Sequence, residues 1–378
     1  MSQNRLRAAF YRGGTSNAVV VNAADLPQDQ ALRDQIFLHV LGSPDPYGRQ
    51  LNGMGGGVSS LSKVVIVAPS ERADADVDYT FVQVAVDEPV ADYGSACGNM
   101  SSCVGPFAVS EGMVHPADGE ALVRIYSTNT NQIYHSRFQV KDGGAIEEGD
   151  FEIPGVAQAG APITLDFLNP GGSATGNLLP SDQANNTLTV PEVGVFQASY
   201  IDAANPVVYI KAEDVGCTAT ERPQDLDADR ALMAKLDKIR RAGAVAMGMA
   251  ETPEAAKLSN PKIAIVARPA PFTALDGRSY APESHDINIR LISMGNFHKA
   301  ITLTGAMCAA VAAQIPGSLL HDIAGHVDEL RIGNSSGVLP VRADVSHEGE
   351  NSTAISATTY RTQRRIMEGA VLYPAQLK

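Results

Sequence analysis

The sequence predicts an α+β protein built from two repeated halves, and three observations carry that reading. A strand-like run from Val77 to Val86 leads through a glycine-bearing turn into a helix-compatible run of small apolar residues, Met100 to Val109. The same order returns in the run Ile287 to Ile292, the turn Met294-Gly295-Asn296 and a small-residue run reaching Cys308. Between them, Ala203-Ala204-Asn205-Pro206-Val207-Val208-Tyr209-Ile210 echoes Thr15-Ser16-Asn17-Ala18-Val19-Val20-Val21. Composition agrees: 34 Gly and 22 Pro with only 6% aromatic residues describe a turn-rich, strand-rich chain. A hydrophobic content of 44% over 378 residues suffices for a sizeable core, in two domains or one large one. The expected halves are 1–186 and 187–378.

In order, Ala8 to Val21 reads as strand, turn and strand around Gly13-Gly14-Thr15-Ser16. Ala31 to Leu41 reads as a helix with Leu32, Ile36, Phe37 and Val40 on one face. The stretch Asn52 to Ser62 is rich in Gly and Ser and reads as a mobile loop able to close over a ligand. It feeds the apolar strand Val64 to Val67 and leaves Lys63 at the entrance. A lysine at a strand start is ordinarily a solvated charge. Pressed against apolar surface it instead loses basicity, as a general base must. Cys97 in Tyr93-Gly94-Ser95-Ala96-Cys97-Gly98-Asn99-Met100 stands before a helix start. That placement favours a thiolate and suits a bound carboxylate; the plain alternative is a buried thiol in a common turn. Asn99 can cap the helix. In the second half, Asp225 to Met247 reads as one long helix.

A net charge of −13 argues against nucleic-acid or anionic-membrane partners and requires any anion site to be locally positive. The four cysteines, Cys97, Cys103, Cys217 and Cys308, fit neither a zinc spacing nor a disulfide framework, and Cys103, Cys217 and Cys308 read as core. The N-terminus is polar without a signal-peptide apolar region. The most apolar stretch, Ala300 to Ile315, is too short to span a bilayer. A cytoplasmic protein without a metal or cofactor is expected, since no phosphate loop or dinucleotide fingerprint occurs.

Several motifs then occur together and in order: Gly13-Gly14-Thr15-Ser16, Gly42-Ser43-Pro44-Asp45-Pro46-Tyr47-Gly48, Gly53-Met54-Gly55-Gly56, Ser59-Ser60-Leu61-Ser62-Lys63-Val64, Cys97-Gly98-Asn99, Phe167-Leu168-Asn169-Pro170-Gly171-Gly172 and Thr304-Gly305-Ala306. Nearly end to end, the chain resembles the 2-methylaconitate cis-trans isomerase (PrpF) family, which also contains oxalomesaconate tautomerases and methylitaconate isomerases. The resemblance implies a diaminopimelate epimerase-like fold. In that fold two pseudo-repeated domains each curl a sheet around a central helix, with the active site between them.

It also implies a cofactor-independent 1,3-proton shift on a small unsaturated di- or tricarboxylate such as 2-methylaconitate or aconitate. Lys63 and Cys97 would be the catalytic pair. Substrate contacts are implied for Gly14, Thr15, Ser16, Met54, Ser60, Gly98, Asn99 and Met100 from the first half. From the second they are implied for Met294, His298, Thr304, Gly305, Ala306, Ser335, Ser336 and Gly337. A homodimer is left open. Two departures bear on the substrate: Asn17 replaces a frequent lysine, and Gly333-Asn334-Ser335-Ser336-Gly337 replaces a His-Pro-Ser-Gly motif. A two-cysteine epimerase is disfavoured because the position of its second thiol holds Thr302. A non-catalytic polycarboxylate-binding protein is the alternative of another class; proton exchange with solvent separates the two.

Overall fold

The computed structural model describes residues 3–94, 97–349 and 351–377. The chain forms two compact units, Met1–Asp166 with Tyr360–Lys378, and Phe167–Thr359. This division differs from the expected break at 186, because the terminal strand Gln363–Pro374 pairs antiparallel with the first strand along its whole length, from Gln3↔Pro374 to Gly13↔Gln363.

In the first unit, β1 (Gln3–Gly13) and β2 (Ser16–Asn22) form a hairpin closed by Gly14-Thr15. A crossover through α1 (Gln30–Leu41) sets β3 (Lys63–Pro69) parallel to β2. β4 (Val77–Val84) returns antiparallel to β3, with Lys63 opposite Gln83. α2 (Ser101–Ser110) then leads to β6 (Gly119–Ser127), parallel to β4, after the short β5 (Ala91–Asp92), and β7 (Gln132–Lys141) pairs antiparallel with β6. α1 starts where Asp29 Oδ1 accepts the Ala31 N–H at 3.1 Å and stops at Gly42, whose φ of 77° no β-carbon favours. Its Ile36, Phe37, Val40 and Leu41 pack on Val19, Val21, Val64, Ile66, Val82 and Val84. Side chains alternate along a strand, so Lys63 shares the opposite face with Val65, Phe81 and Tyr79.

The second unit repeats this order. The hairpin Gly194–Ala203/Asn205–Lys211 is followed by the parallel strand Lys262–Ala267, the antiparallel Ile287–Ser293, the parallel Glu329–Asn334 and the antiparallel Gly337–Glu348. The strand after the hairpin opens on a lysine in both units, Lys63 and Lys262. Helix Leu303–Ala313 occupies the place of α2; both are built from small residues and are buried over nearly all of their length. Such helices read as apolar all round because protein covers every side. The expected α+β repeat is thus present as duplicated strand order.

The single helix expected over Asp225 to Met247 is two, Pro223–Ala228 and Arg230–Ala246. The break falls at Asp229, whose side chain accepts the Leu232 N–H at 3.0 Å and caps the second helix. That helix then lays Leu232, Leu236 and Ile239 on Val208, Ile210, Ile263 and Ile265. Asp229→Ala removes the cap and should cost about 1 kcal/mol in chemical denaturation, while Asp229→Asn should retain most of it.

Candidate active site

Lys63 is the first residue of β3 and is only 7% exposed. Its Nζ donates to Gln83 Oε1 at 2.5 Å and lies 5.0 Å from the centroid of the Phe81 ring. The Gln83 amide has one orientation available: Nε2 donates to the carbonyls of Ser62 at 2.8 Å and Ser59 at 3.0 Å, which turns Oε1 towards the lysine. Burial holds the Lys63 ammonium below the ordinary lysine value, and Cys97 is the opposing influence. A neutral acceptor and a ring face stabilise the ammonium less than a carboxylate would. The lysine is therefore placed to lose its proton.

Cys97 is half-buried and free. Its carbonyl accepts from the Tyr79 hydroxyl at 3.2 Å, the Ser101 N–H at 3.0 Å and the Ser101 hydroxyl at 3.2 Å. Burial keeps the Tyr79 hydroxyl protonated far above its usual range, so it remains a donor. One expectation changes here. Asn99 does not cap α2; the N-cap is Met100 and makes no side-chain cap bond. The first N–H groups inside the helix are committed, Ser101, Ser102 and Cys103 donating to the carbonyls of Cys97, Asn99 and Met100, which leaves the expected donors, the Gly98 and Asn99 N–H groups, ahead of the helix. Ser95 and Ala96 lie outside the described residues.

Asn99 instead ties the turn to the first hairpin. Its Nδ2 donates to Thr15 Oγ1 at 3.1 Å and its Oδ1 accepts from Arg361 Nε at 3.2 Å. This approach is why two glycines stand there. A β-carbon on Gly13 would lie 2.8 Å from the Asn99 carbonyl oxygen, and one on Gly14 would lie 2.3 Å from Asn99 Oδ1, at a φ of +51°. Arg12 locks the hairpin from behind, donating to the carbonyls of Gly14 and Thr362, each at 3.0 Å. Asn17 faces Arg12 across the β1–β2 pair, so a lysine at 17 would set like charges opposite each other.

Of the other first-unit residues predicted for the site, Gly14 and Ser16 are buried, Thr15 is exposed, and Gly98 and Ser60 are half-buried. Met100 is fully buried, and Met54 packs on the α1 cluster. The Gly/Ser loop is a folded structure built on Gln50. The Gln50 side chain donates to Ser43 Oγ at 2.8 Å and Ser62 Oγ at 2.7 Å, and accepts the Gly57 N–H at 2.9 Å. Gln50 is 1% exposed, a residue no sequence signal marked.

In the second unit, Thr304, Gly305 and Ala306 open helix Leu303–Ala313. The expected anion donors there are partly committed: Gly305 N–H goes to Thr302 Oγ1 at 3.1 Å and Ala306 N–H to the Thr302 carbonyl. Thr302 is thus the N-cap. Met294 is exposed in a turn; His298 is exposed and accepts the Ala300 N–H through Nδ1 at 3.1 Å. Ser335 and Ser336 form the loop of the hairpin that pairs Asn334 with Gly337. Ser336 Oγ donates to the Lys299 carbonyl at 2.7 Å, and Ser335 Oγ is buried without a partner. Cys103 and Cys308 are core as expected, whereas Cys217 is half-buried at a core edge.

Arg361 is a buried cation beside the Cys97 turn that sequence reasoning did not single out. It is 7% exposed, reaches Asn99 across 262 residues of sequence, and is pulled down to about 10 by burial, with Cys97 opposing. Among the described residues, no group of three His, Cys, Asp or Glu side chains stands together to hold a metal ion, and no helix is long and apolar enough to cross a membrane.

The two-unit α+β fold is of the diaminopimelate epimerase type, and its first unit holds a desolvated lysine that senses a cysteine, a pairing suited to proton transfer. Residues 3–374 match the model of the PrpF protein family; the chain belongs to that family and is an isomerase. It is 38% identical to the 2-methyl-aconitate isomerase of Shewanella oneidensis, over 98% of each chain. The crystal structure of a methylitaconate-delta-isomerase superposes with a TM-score of 0.90 at 36% identity, over 98% of this chain and 96% of the other. A hydroxyproline epimerase from Agrobacterium vitis, at a TM-score of 0.50 and 13% identity over 99% and 94% of the two chains, shares the fold alone.

Removing the buried ammonium should relieve the fold. Burial depresses the Lys63 value, so the unfolded chain holds the proton more tightly at neutral pH, and stability rises as pH climbs through the folded value. Lys63→Met should therefore melt at or above the wild-type temperature at neutral pH, while its activity is lost.

Proposed function

We propose that this isomerase moves an allylic proton on a small unsaturated tricarboxylate of the 2-methylaconitate or aconitate type, with Lys63 and Cys97 as the proton-transfer pair. The observation that carries the reading is the desolvated Lys63 Nζ, held by Gln83 and Phe81 and sensing Cys97. The relatives' activities on 2-methylaconitate and methylitaconate support the substrate class.

Neutral Lys63 takes the proton from the carbon next to the double bond, and the electron pair spreads over the conjugated carboxylate as a dienolate. The new Lys63 ammonium faces that anion and offsets its charge. Protonation at the far end of the allylic system by the Cys97 thiol shifts the double bond, and solvent exchange restores both groups. The sum is a proton moved and a double bond displaced, with no redox change. Gln83 keeps the lysine aimed in both protonation states, because its Oε1 accepts from an amine N–H as from an ammonium.

Lys63→Arg retains charge but is no base near neutral pH. It should bind the polycarboxylate and fail to wash deuterium into it; substantial exchange in heavy water would reduce Lys63 to an anchor. Cys97→Ser should lose most turnover while keeping binding. In the wild type, kcat/KM should fall as pH drops through the lowered Lys63 value, because the base becomes protonated. A rate flat across that limb would contradict the assignment.

A further inference from the structure

The first unit holds a second group of charged side chains, on the sheet face opposite Lys63. Beside α1 lies a cavity of 460 Å³, floored by Ile66 and Ala68 of β3 and by Asp78 and Thr80 of β4. Ile66 pairs with Thr80 and Ala68 with Asp78, so the four side chains form one patch. Strand alternation turns that patch away from Lys63 and Val65. Arg33 of α1 and Tyr93 belong to the walls. The volume lies in the range of small-molecule sites, which join an apolar lining to a few placed polar groups.

Other polar groups of the lining are satisfied within the protein. The Tyr93 hydroxyl donates to Asp34 Oδ1 at 2.6 Å, and the hydroxyls of Thr80 and Thr128 bond each other at 2.6 Å. The Asn129 amide is taken up by the backbone of Phe81 and Tyr93. Arg33 and Asp78 are the exceptions. Both are half-buried, and Arg33 Nε and Asp78 Oδ1 are shut off from water with no hydrogen-bond partner among the described residues. Neither side chain enters an ion pair there, with the other or with a third residue. Arg72, a cation that senses Asp78, has its fork taken by Asp74 at 2.8 and 2.9 Å. A charged group that loses water without gaining a partner is costly. Here a cation and an anion both carry that cost, and both line one cavity.

We propose that this cavity is a binding site for a small zwitterion, an α-amino acid with an aliphatic side chain. The Arg33 guanidinium holds its carboxylate and the Asp78 carboxylate holds its ammonium. Ile66, Ala68 and the Tyr93 ring receive the side chain. A ligand of one sign would compensate one of these groups and leave the other; a zwitterion compensates both with charge-assisted hydrogen bonds. The ligand is held without chemical change. Because the site lies on the face away from Lys63, it stands independently of the proton-transfer reading.

The test titrates L-leucine calorimetrically into the full-length protein, beside leucinamide, which lacks the carboxylate, and N-acetyl-leucine, which lacks the ammonium. The wild type should bind L-leucine about 10-fold or more tighter than either derivative, the range for a hydrogen-bonded charge partner. Arg33→Met should lose about 10–100-fold in affinity for L-leucine yet bind leucinamide as the wild type does, because leucinamide never used that contact. Asp78→Asn should lose a similar factor for L-leucine and leave N-acetyl-leucine unaffected. Without ligand, both variants should melt at or above the wild-type temperature, since each removes a charge that lacked a partner. Deuterium exchange on an unsaturated tricarboxylate should be unchanged in both. A wild type that binds no L-leucine, as a cavity holding only water would, overturns the proposal. Equal affinity for the three probes, or wild-type affinity for L-leucine in a folded Arg33→Met, overturns it as well. If Asp78→Asn does not fold, the probe series and Arg33→Met decide the matter by themselves.

Discussion

The structure depends on keeping one ammonium group out of water. Lys63 heads a strand whose next residues, Val64 to Val67, are almost wholly buried, so its root is fixed in the sheet. Its side chain is turned to the face opposite α1 by strand alternation alone. What meets it there is a glutamine oxygen and a phenyl ring. A carboxylate in place of Gln83 would stabilise the ammonium and raise its pKa. An aliphatic residue would leave it unaimed. Glutamine supplies direction with little charge stabilisation, and it does so because Ser59 and Ser62 carbonyls hold its other end. The loop before Lys63 and the strand after it therefore both set the surroundings of this lysine.

The second constraint is backbone approach. Asn99 presses on the first hairpin so closely that neither Gly13 nor Gly14 can carry a side chain. That contact fastens the Cys97 turn to β1–β2, and β2 is the parallel neighbour of β3. Lys63, the Cys97 turn and the buried Arg361 guanidinium are thereby tied to one connected set of strands. Two cations, Lys63 and Arg361, are thus buried in the first unit of a chain that carries a net charge of −13.

Much of this was legible in the residues. The duplicated order of strand, turn and small-residue helix could be read because each half repeats the same hydrophobic pattern. Lys63 and Cys97 stood out because each is a reactive side chain at a chain punctuation point. The parts that were not legible share a physical cause: they arise from contacts between segments distant in sequence. Arg361 sits in an unremarkable polar strand, and only tertiary pairing brings it to Asn99. The return of Gln363–Pro374 to β1 moved the unit boundary for the same reason. Gln50 and Gln83 are ordinary polar residues until burial gives each a single set of partners. Asp229 was a local signal that helical periodicity on both sides concealed.

The claim on which the account rests is that burial leaves Lys63 less basic than a lysine in water. Heteronuclear NMR of protein labelled at the lysine side chains, with Lys63 assigned by its disappearance in Lys63→Arg, measures this directly. The account predicts that the Lys63 signal titrates at lower pH than the exposed lysines, and lower still in Cys97→Ser, where the opposing influence of Cys97 is gone. A Lys63 that titrates with the exposed lysines or above them would contradict it.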